Sequence, residues 1–284
     1  MYSIGGSRAD HNASPTLDGV GNLTEGGRMS LNTGELNGDI DGLFDKLLGQ
    51  STEVPDALAE VATVTLCADQ DVCLGGDFVD TFPISDTSMA LFMGDFVGHD
   101  SSLARKAVVL KFLVRRLVSA GLSVSEIMER ASALVGNAMP DQYASAFLGR
   151  LDLIDGRLEY SSAGHEPGVI FRPNGTESLE ISGMLLGVLS NPKYESHVVN
   201  IAGATLALYT DGLTEAVVNQ DRTRYGTERL TSVLNSRLMA GHSLSEVASM
   251  TFADIADACV KEPLSDDATL LLIRPLVPLN LRME

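Results

Sequence analysis

Four aspartates, each in a short glycine-bearing or acidic cluster, carry the chemistry this sequence can do. Asp77 lies in Gly75-Gly76-Asp77-Phe78 and Asp95 in Gly94-Asp95-Phe96-Val97-Gly98-His99-Asp100. Asp211 lies in Tyr209-Thr210-Asp211-Gly212, and Asp266 in Ser265-Asp266-Asp267-Ala268-Thr269. The last three adjoin apolar runs of strand character at 88–93, 204–209 and 268–273. Carboxylates at strand ends, where the chain turns, are able to converge. Anionic oxygens gathered at one point repel one another unless cations sit between them, and oxygen-only sites select magnesium or manganese over zinc. The pattern predicts a polynuclear metal site for hydrolysis. No Gly-x-Ser-x-Gly or Cys-x5-Arg loop offers a nucleophile instead, and Asp77 and Asp80 are three apart, where an aspartyl-phosphate motif needs two.

The elements that must position these residues follow from periodicity. Strands are expected at 62–68, 76–82 and 88–96, joined by Asp/Gly/Ser turns. A helix over 101–120 has the stripe Leu103, Ala107, Leu110, Val114, Leu117, and a second opens at Ser123 or Ser125 with Glu126 in its first turn. Strands resume at 144–152 and 157–163 around Asp155-Gly156, a strong hairpin signal. Further strands are expected at 168–172, 177–181, 197–201 and 205–209, then helices at 227–240 and 244–261, and a last strand at 268–273. Segregated runs of this kind predict an α+β protein, a β-sandwich with helix pairs on its outer faces. Residues 1–38 are rich in Gly, Asn, Ser, Thr and Asp and read as disordered. Ile40, Leu43, Phe44, Leu47 and Leu48 fall at helical spacing ahead of Pro55, as a linker helix that packs on the domain or pairs with its copy.

Composition narrows the partners. A net charge of −18 and a pI near 4.5 disfavour nucleic acid and anionic membranes, which repel such a surface. Cys67, Cys73 and Cys259 form no Cys-x-x-Cys pair and read as reduced thiols. With no long apolar run and no signal peptide at its start, the chain is expected to be soluble and cytoplasmic.

Taken in order, Gly75 to Phe78, Gly94 to His99, Ser161-Ser162-Ala163-Gly164-His165-Glu166-Pro167, Leu208 to Ala216 around Asp211, Tyr225-Gly226 and Asp266 to Leu270 resemble the metal-dependent (PPM) serine/threonine phosphatases of the bacterial SpoIIE/RsbU type. The resemblance runs from about residue 55 to 274. It implies an αββα four-layer sandwich, two antiparallel sheets flanked by helix pairs, as a phosphatase domain over 57–276 with a linker at 39–56 and a tail at 277–284. It implies two divalent cations, Mn2+ or Mg2+: Asp95 bridging both, Asp77 and the Phe96 carbonyl on one, Asp211 and Asp266 on the other. Asp95 and Asp211 then act through a metal-activated water, with His99, Asp100 and Asp267 behind the ligands. The implied substrate is a phosphoserine or phosphothreonine on a STAS-domain, anti-anti-sigma-like protein in a partner switch. A separate activator docking on the 101–139 helices is implied as well, and the apolar stripes of 40–50 and 101–139 suggest a regulated homodimer interface.

Two departures stand out. The family's Gly-His-Gly is Gly98-His99-Asp100 here, and the extra carboxylate either tunes the ions or caps the following helix. No sensor domain is recognisable ahead of the catalytic region. A docking pseudophosphatase and a small-molecule phosphatase remain the alternatives. Asp80 is expected to be solvated, as are the Arg and Lys of the 101–120 helix, unless those cations dock an acidic regulator. His165 is expected as a turn or strand-end residue.

Overall fold

The computed structural model describes residues 58–66, 75–98, 102–218, 223–259, 264 and 266–276. His99, Asp100, Cys67, Cys73, the expected helix at 40–48 and the 1–38 segment lie outside the described residues.

Among the described residues, ten strands form two antiparallel sheets. The first has the order β2 (Asp77–Ser85), β3 (Ser88–Phe96), β4 (Ala144–Asp152), β5 (Arg157–Ala163), β8 (His197–Asn200). The second runs β1 (Ala59–Leu66), β10 (Ala268–Pro275), β9 (Thr205–Tyr209), β6 (Val169–Arg172), β7 (Gly175–Ser178). Helices α1 (Leu103–Ser119) and α2 (Val124–Ala138) cover the first sheet, and α4 (Thr227–Met239) and α5 (Leu244–Ala258) the second. The order helices, sheet, sheet, helices is the expected αββα sandwich.

Side-chain alternation sorts the core into three apolar layers. On β2, β3 and β4 the even-numbered Phe78, Phe82, Ala90, Phe92, Ala146 and Leu148 meet α1 and α2. The odd-numbered Val79, Met89, Leu91, Met93 and Phe147 meet Leu206, Leu208, Leu271 and Ile273 of the other sheet. Central strands are therefore covered on both faces, which is why β3, β9 and β10 read as continuous apolar runs rather than alternating ones.

Local signals set the helix starts. Ser123 accepts from the Glu126 amide while the Glu126 side chain accepts from Ser123, a reciprocal cap, and Ser243 and Glu246 repeat it at α5. Three features differ from expectation. β7 lies at Gly175–Ser178, tight against Pro173-Asn174, not at 177–181. A one-turn helix, α3 (Asp211–Thr214), follows β9, too short to leave a periodic trace. The polar face of α1 is not all solvated: Lys111 is buried, and Arg115 pairs with a buried Asp80. The cause is the same alternation. Asp80 is even-numbered, so β2 turns it into the helix layer, where only an opposite charge makes burial tolerable.

Candidate active site

The inter-sheet stripe of the first sheet ends in polar groups. Asp77 lies directly opposite Asp95, and Asp95 directly opposite Ser145, so the row Asp77, Asp95, Ser145 crosses β2, β3 and β4 on the face turned toward the second sheet. The second sheet answers with threonines. Thr65 is the register partner of Thr269 on β10, and Thr210, just past β9, donates its N–H to the Thr269 carbonyl at 3.1 Å while its hydroxyl accepts from the Thr269 N–H at 2.9 Å. Thr210 donates its hydroxyl to Asp77 Oδ2 at 2.8 Å and Thr269 donates to the same oxygen at 2.6 Å. The Thr65 and Thr269 hydroxyls are 3.0 Å apart. Asp77 thus joins the two sheets at one end of the sandwich.

Glycine makes room for the crowding. A Cβ on Gly76 would stand 2.5 Å from Asp95 Oδ1 and 2.7 Å from the Phe96 carbonyl oxygen, the two groups expected to face an ion. A Cβ on Gly75 would overlap the Asp267 carboxylate, which lies against that glycine. Asp267 is buried. Asp266 is exposed and takes the Asp267 amide on its Oδ1 at 2.9 Å.

Charge ties these groups together. Burial pushes the Asp95 carboxyl up to about 9, and Asp77, Asp211, Asp266 and Asp267 all add to the shift. Burial likewise raises Asp77 to about 8 against the pull of its two threonine donors, with Asp267 and Asp266 adding a smaller rise. Asp211, first residue of α3, is raised by burial and by Glu215. These are carboxylates short of positive charge. Among the described residues, no three His, Cys, Asp or Glu side chains already form a cage around an ion position. The donor set is nevertheless oxygen-only, anionic and mutually repelling, with the Phe96 carbonyl beside it. It fits hard divalent cations drawing the group together.

The expected residues Asp77, Asp95, Phe96, Asp211, Asp266 and Asp267 all belong to this end of the sandwich. Other contributors have no role assigned from the sequence: Thr210, Thr269 and Glu166, which lie inside the motifs, and Thr65 and Ser145, which lie outside them. Glu166 is half-buried and is raised by burial, then by Asp211 and Glu215, which puts it on the rim. His165 sits just past the end of β5, at a strand end as expected. It is buried, with Nδ1 2.9 Å from Ser145 Oγ and Nε2 unpartnered, and burial pushes it down to about 4, so the ring is neutral.

Comparison with known proteins bears on the family and the fold. Residues 85–275 match the family profile described as Stage II sporulation protein E (SpoIIE). The phosphoserine phosphatase RsbU of Bacillus subtilis is 25% identical over 235 residues, covering 80% of this chain and 66% of RsbU, just under two thirds of that protein. The crystal structure of the RsbU and RsbW domains of a Mycobacterium tuberculosis protein superposes with a TM-score of 0.67 at 26% identity, over 78% of this chain and 61% of that one. The SiaA-PP2C domain of Pseudomonas aeruginosa gives a TM-score of 0.67 at 20% identity, over 82% of this chain and 95% of that one, a likeness of fold.

Proposed function

The chain belongs to the SpoIIE family, and on that premise we propose that it is a metal-dependent serine/threonine protein phosphatase, its catalytic domain spanning 57–276. The observation that supports this most is the cross-strand pair Asp77 and Asp95, both half-buried, with Asp211 and Asp266 adding to the rise in Asp95. Asp77, Asp95, Asp211, Asp266 and the Phe96 carbonyl would hold two divalent cations, manganese or magnesium. Such ions acidify a water and neutralise phosphoryl oxygens, the two needs of a very slow hydrolysis.

The chain's own groups prepare the site. Thr210 and Thr269 fix the Asp77 carboxylate by its Oδ2. The glycines at 75 and 76 let backbone and carboxylates close up without side chains between them. The apolar inter-sheet layer behind Asp95 excludes bulk water and strengthens each charge interaction. Neutral His165 holds Ser145 beside Asp95 without adding charge.

The substrate we propose is a phosphoserine or phosphothreonine on a STAS-domain regulatory protein, in a cytoplasmic partner switch. A separate activator on the 101–139 helices and a homodimer belong to the same reading. Among the described residues, no helix is long and apolar enough to cross a membrane. The open arrangement of the carboxylates favours one rival, a docking pseudophosphatase. Hydrolysis of p-nitrophenyl phosphate and of a phosphoserine peptide with manganese, lost in Asp95→Asn and Asp211→Asn, supports the enzyme. No turnover by manganese-loaded wild type, on these or on a phospho-STAS protein, supports the rival.

A further inference from the structure

Arg224 stands beside one carboxylate of the site, Asp211. After burial, neighbouring acids raise Asp77 and Asp95 further, whereas Arg224 offsets a little of the rise that burial and Glu215 give Asp211. Arg224 reaches that place through the backbone. Beyond α3 the chain pairs back on itself: Val218 N–H donates to the Thr223 carbonyl at 2.9 Å, Tyr225 N–H to the Ala216 carbonyl at 2.8 Å, and Gly226 N–H to the Thr214 carbonyl at 2.9 Å. Val217 and Arg224 are bridge partners in this pairing. The Arg224 Nη1 donates to Glu215 Oε1. Glu215 stands four residues beyond Asp211, and its amide donates to the Asp211 carbonyl at 2.7 Å, so one helical turn sets both on the same side. The guanidinium is therefore held at the rim next to Asp211, with its side chain 64% exposed.

One contact to Glu215 leaves most of the five guanidinium N–H donors available. An exposed pair of this kind adds little to stability. A phosphate monoester entering an anionic pocket, however, needs positive charge on its outer oxygens as well as on those facing the site. We infer that Arg224 binds the phosphoryl group of the substrate at the mouth of the site, with Glu215 orienting the guanidinium. This rests on the phosphatase reading and adds a substrate-binding residue that the aspartate clusters do not contain. A planar fork matches two phosphoryl oxygens at once, which lysine does not reproduce.

Orthophosphate, the reaction product, is the probe. The manganese-loaded full chain is titrated with it calorimetrically as wild type, Arg224→Ala, Arg224→Lys and Lys193→Ala, alongside initial rates on p-nitrophenyl phosphate. Loss of one exposed charge-assisted contact corresponds to about ten-fold weaker binding. Arg224→Ala is expected to raise the orthophosphate Kd and the KM together by that factor, with Arg224→Lys in between. Lys193→Ala removes the same charge from another exposed pair and is expected to leave both constants in place. Orthophosphate bound as tightly by Arg224→Ala as by wild type overturns the inference, as does an equal weakening in Lys193→Ala. A wild type that binds orthophosphate through Arg224 yet turns over no ester overturns the phosphatase reading and leaves the inference standing.

Discussion

Asp80 and Arg115 form a two-pronged ion pair between β2 and α1, with Nε and Nη2 of the arginine donating to the two carboxylate oxygens at 2.7 and 2.6 Å. The Asp80 side chain is 2% exposed and that of Arg115 25%, and the guanidinium lies 4.4 Å over the Phe82 ring. Removing either partner takes the two-pronged opposite charge away from the other, and buried Lys111 stays as a neighbour of Asp80. Asp80→Asn and Arg115→Ala are each expected to cost about 2–4 kcal/mol, and the double variant clearly less than their sum. Urea unfolding of the four chains checks this. Additive losses below about 0.5 kcal/mol would show that the pair does not clamp α1.

The threonine row predicts a defect in cation affinity rather than in folding. Thr269→Val keeps shape but deletes the 2.6 Å donor to Asp77 and the contact to Thr65. Loss of a group that orients a ligand typically weakens metal binding about 10–100-fold. The manganese concentration for half-maximal activity should rise within that range while kcat at saturating manganese changes little. An unchanged activation curve would remove Thr269 from the site.

Stability should depend on pH and cation together. In the folded chain burial holds Asp77 at about 8 and Asp95 at about 9, against 3.8 ordinarily. Below about pH 4 folded and unfolded chains both keep these protons. As pH rises from there to about 9, the unfolded chain releases protons the folded chain retains, so the contribution of these two groups to stability falls throughout that window. Divalent cations replace the protons, so manganese should raise Tm more at pH 8 than at pH 6. Without cation, Asp95→Asn should melt a few degrees higher than wild type at pH 8. A lower Tm for that variant in chelator would contradict the assignment of Asp95 as an uncompensated charge.

Gly76→Ala tests the crowding itself. The added methyl meets Asp95 Oδ1 at 2.5 Å and the Phe96 carbonyl at 2.7 Å, closer than real Cβ contacts come. Activity should fall at least about 100-fold, since small displacements of reacting groups cost that much, while α1 and the apolar layers stay folded by circular dichroism. Activity near that of wild type would mean that Asp95 and Phe96 need not stay where they are.

The parts of this protein that were legible in its sequence share a physical cause. β3, β4, β5 and β9 fall where expected because each apolar run is closed by turn residues at both ends. α2 begins where Ser123 and Glu126 cap it. Asp95 and Asp211 stand out because glycine flanks them where carboxylates and backbone must approach. What stayed hidden depends on pairing between distant strands. Thr65, Thr210 and Thr269 look like ordinary strand threonines until pairing gathers them and Thr210 and Thr269 donate to Asp77. Ser145 and His165 meet only because β4 lies between β3 and β5. Asp80 looks solvated because its partner comes 35 residues later, on another element.

The account rests on divalent ions held by the Asp77–Asp95 end of the sandwich. Manganese added to the cation-free chain, with the free ion followed by its electron paramagnetic resonance signal, tests that most directly. The account predicts uptake of about two ions per chain by the wild type and at least one fewer in Asp95→Asn. Equal uptake by the two chains, or none by the wild type at millimolar manganese, would contradict it.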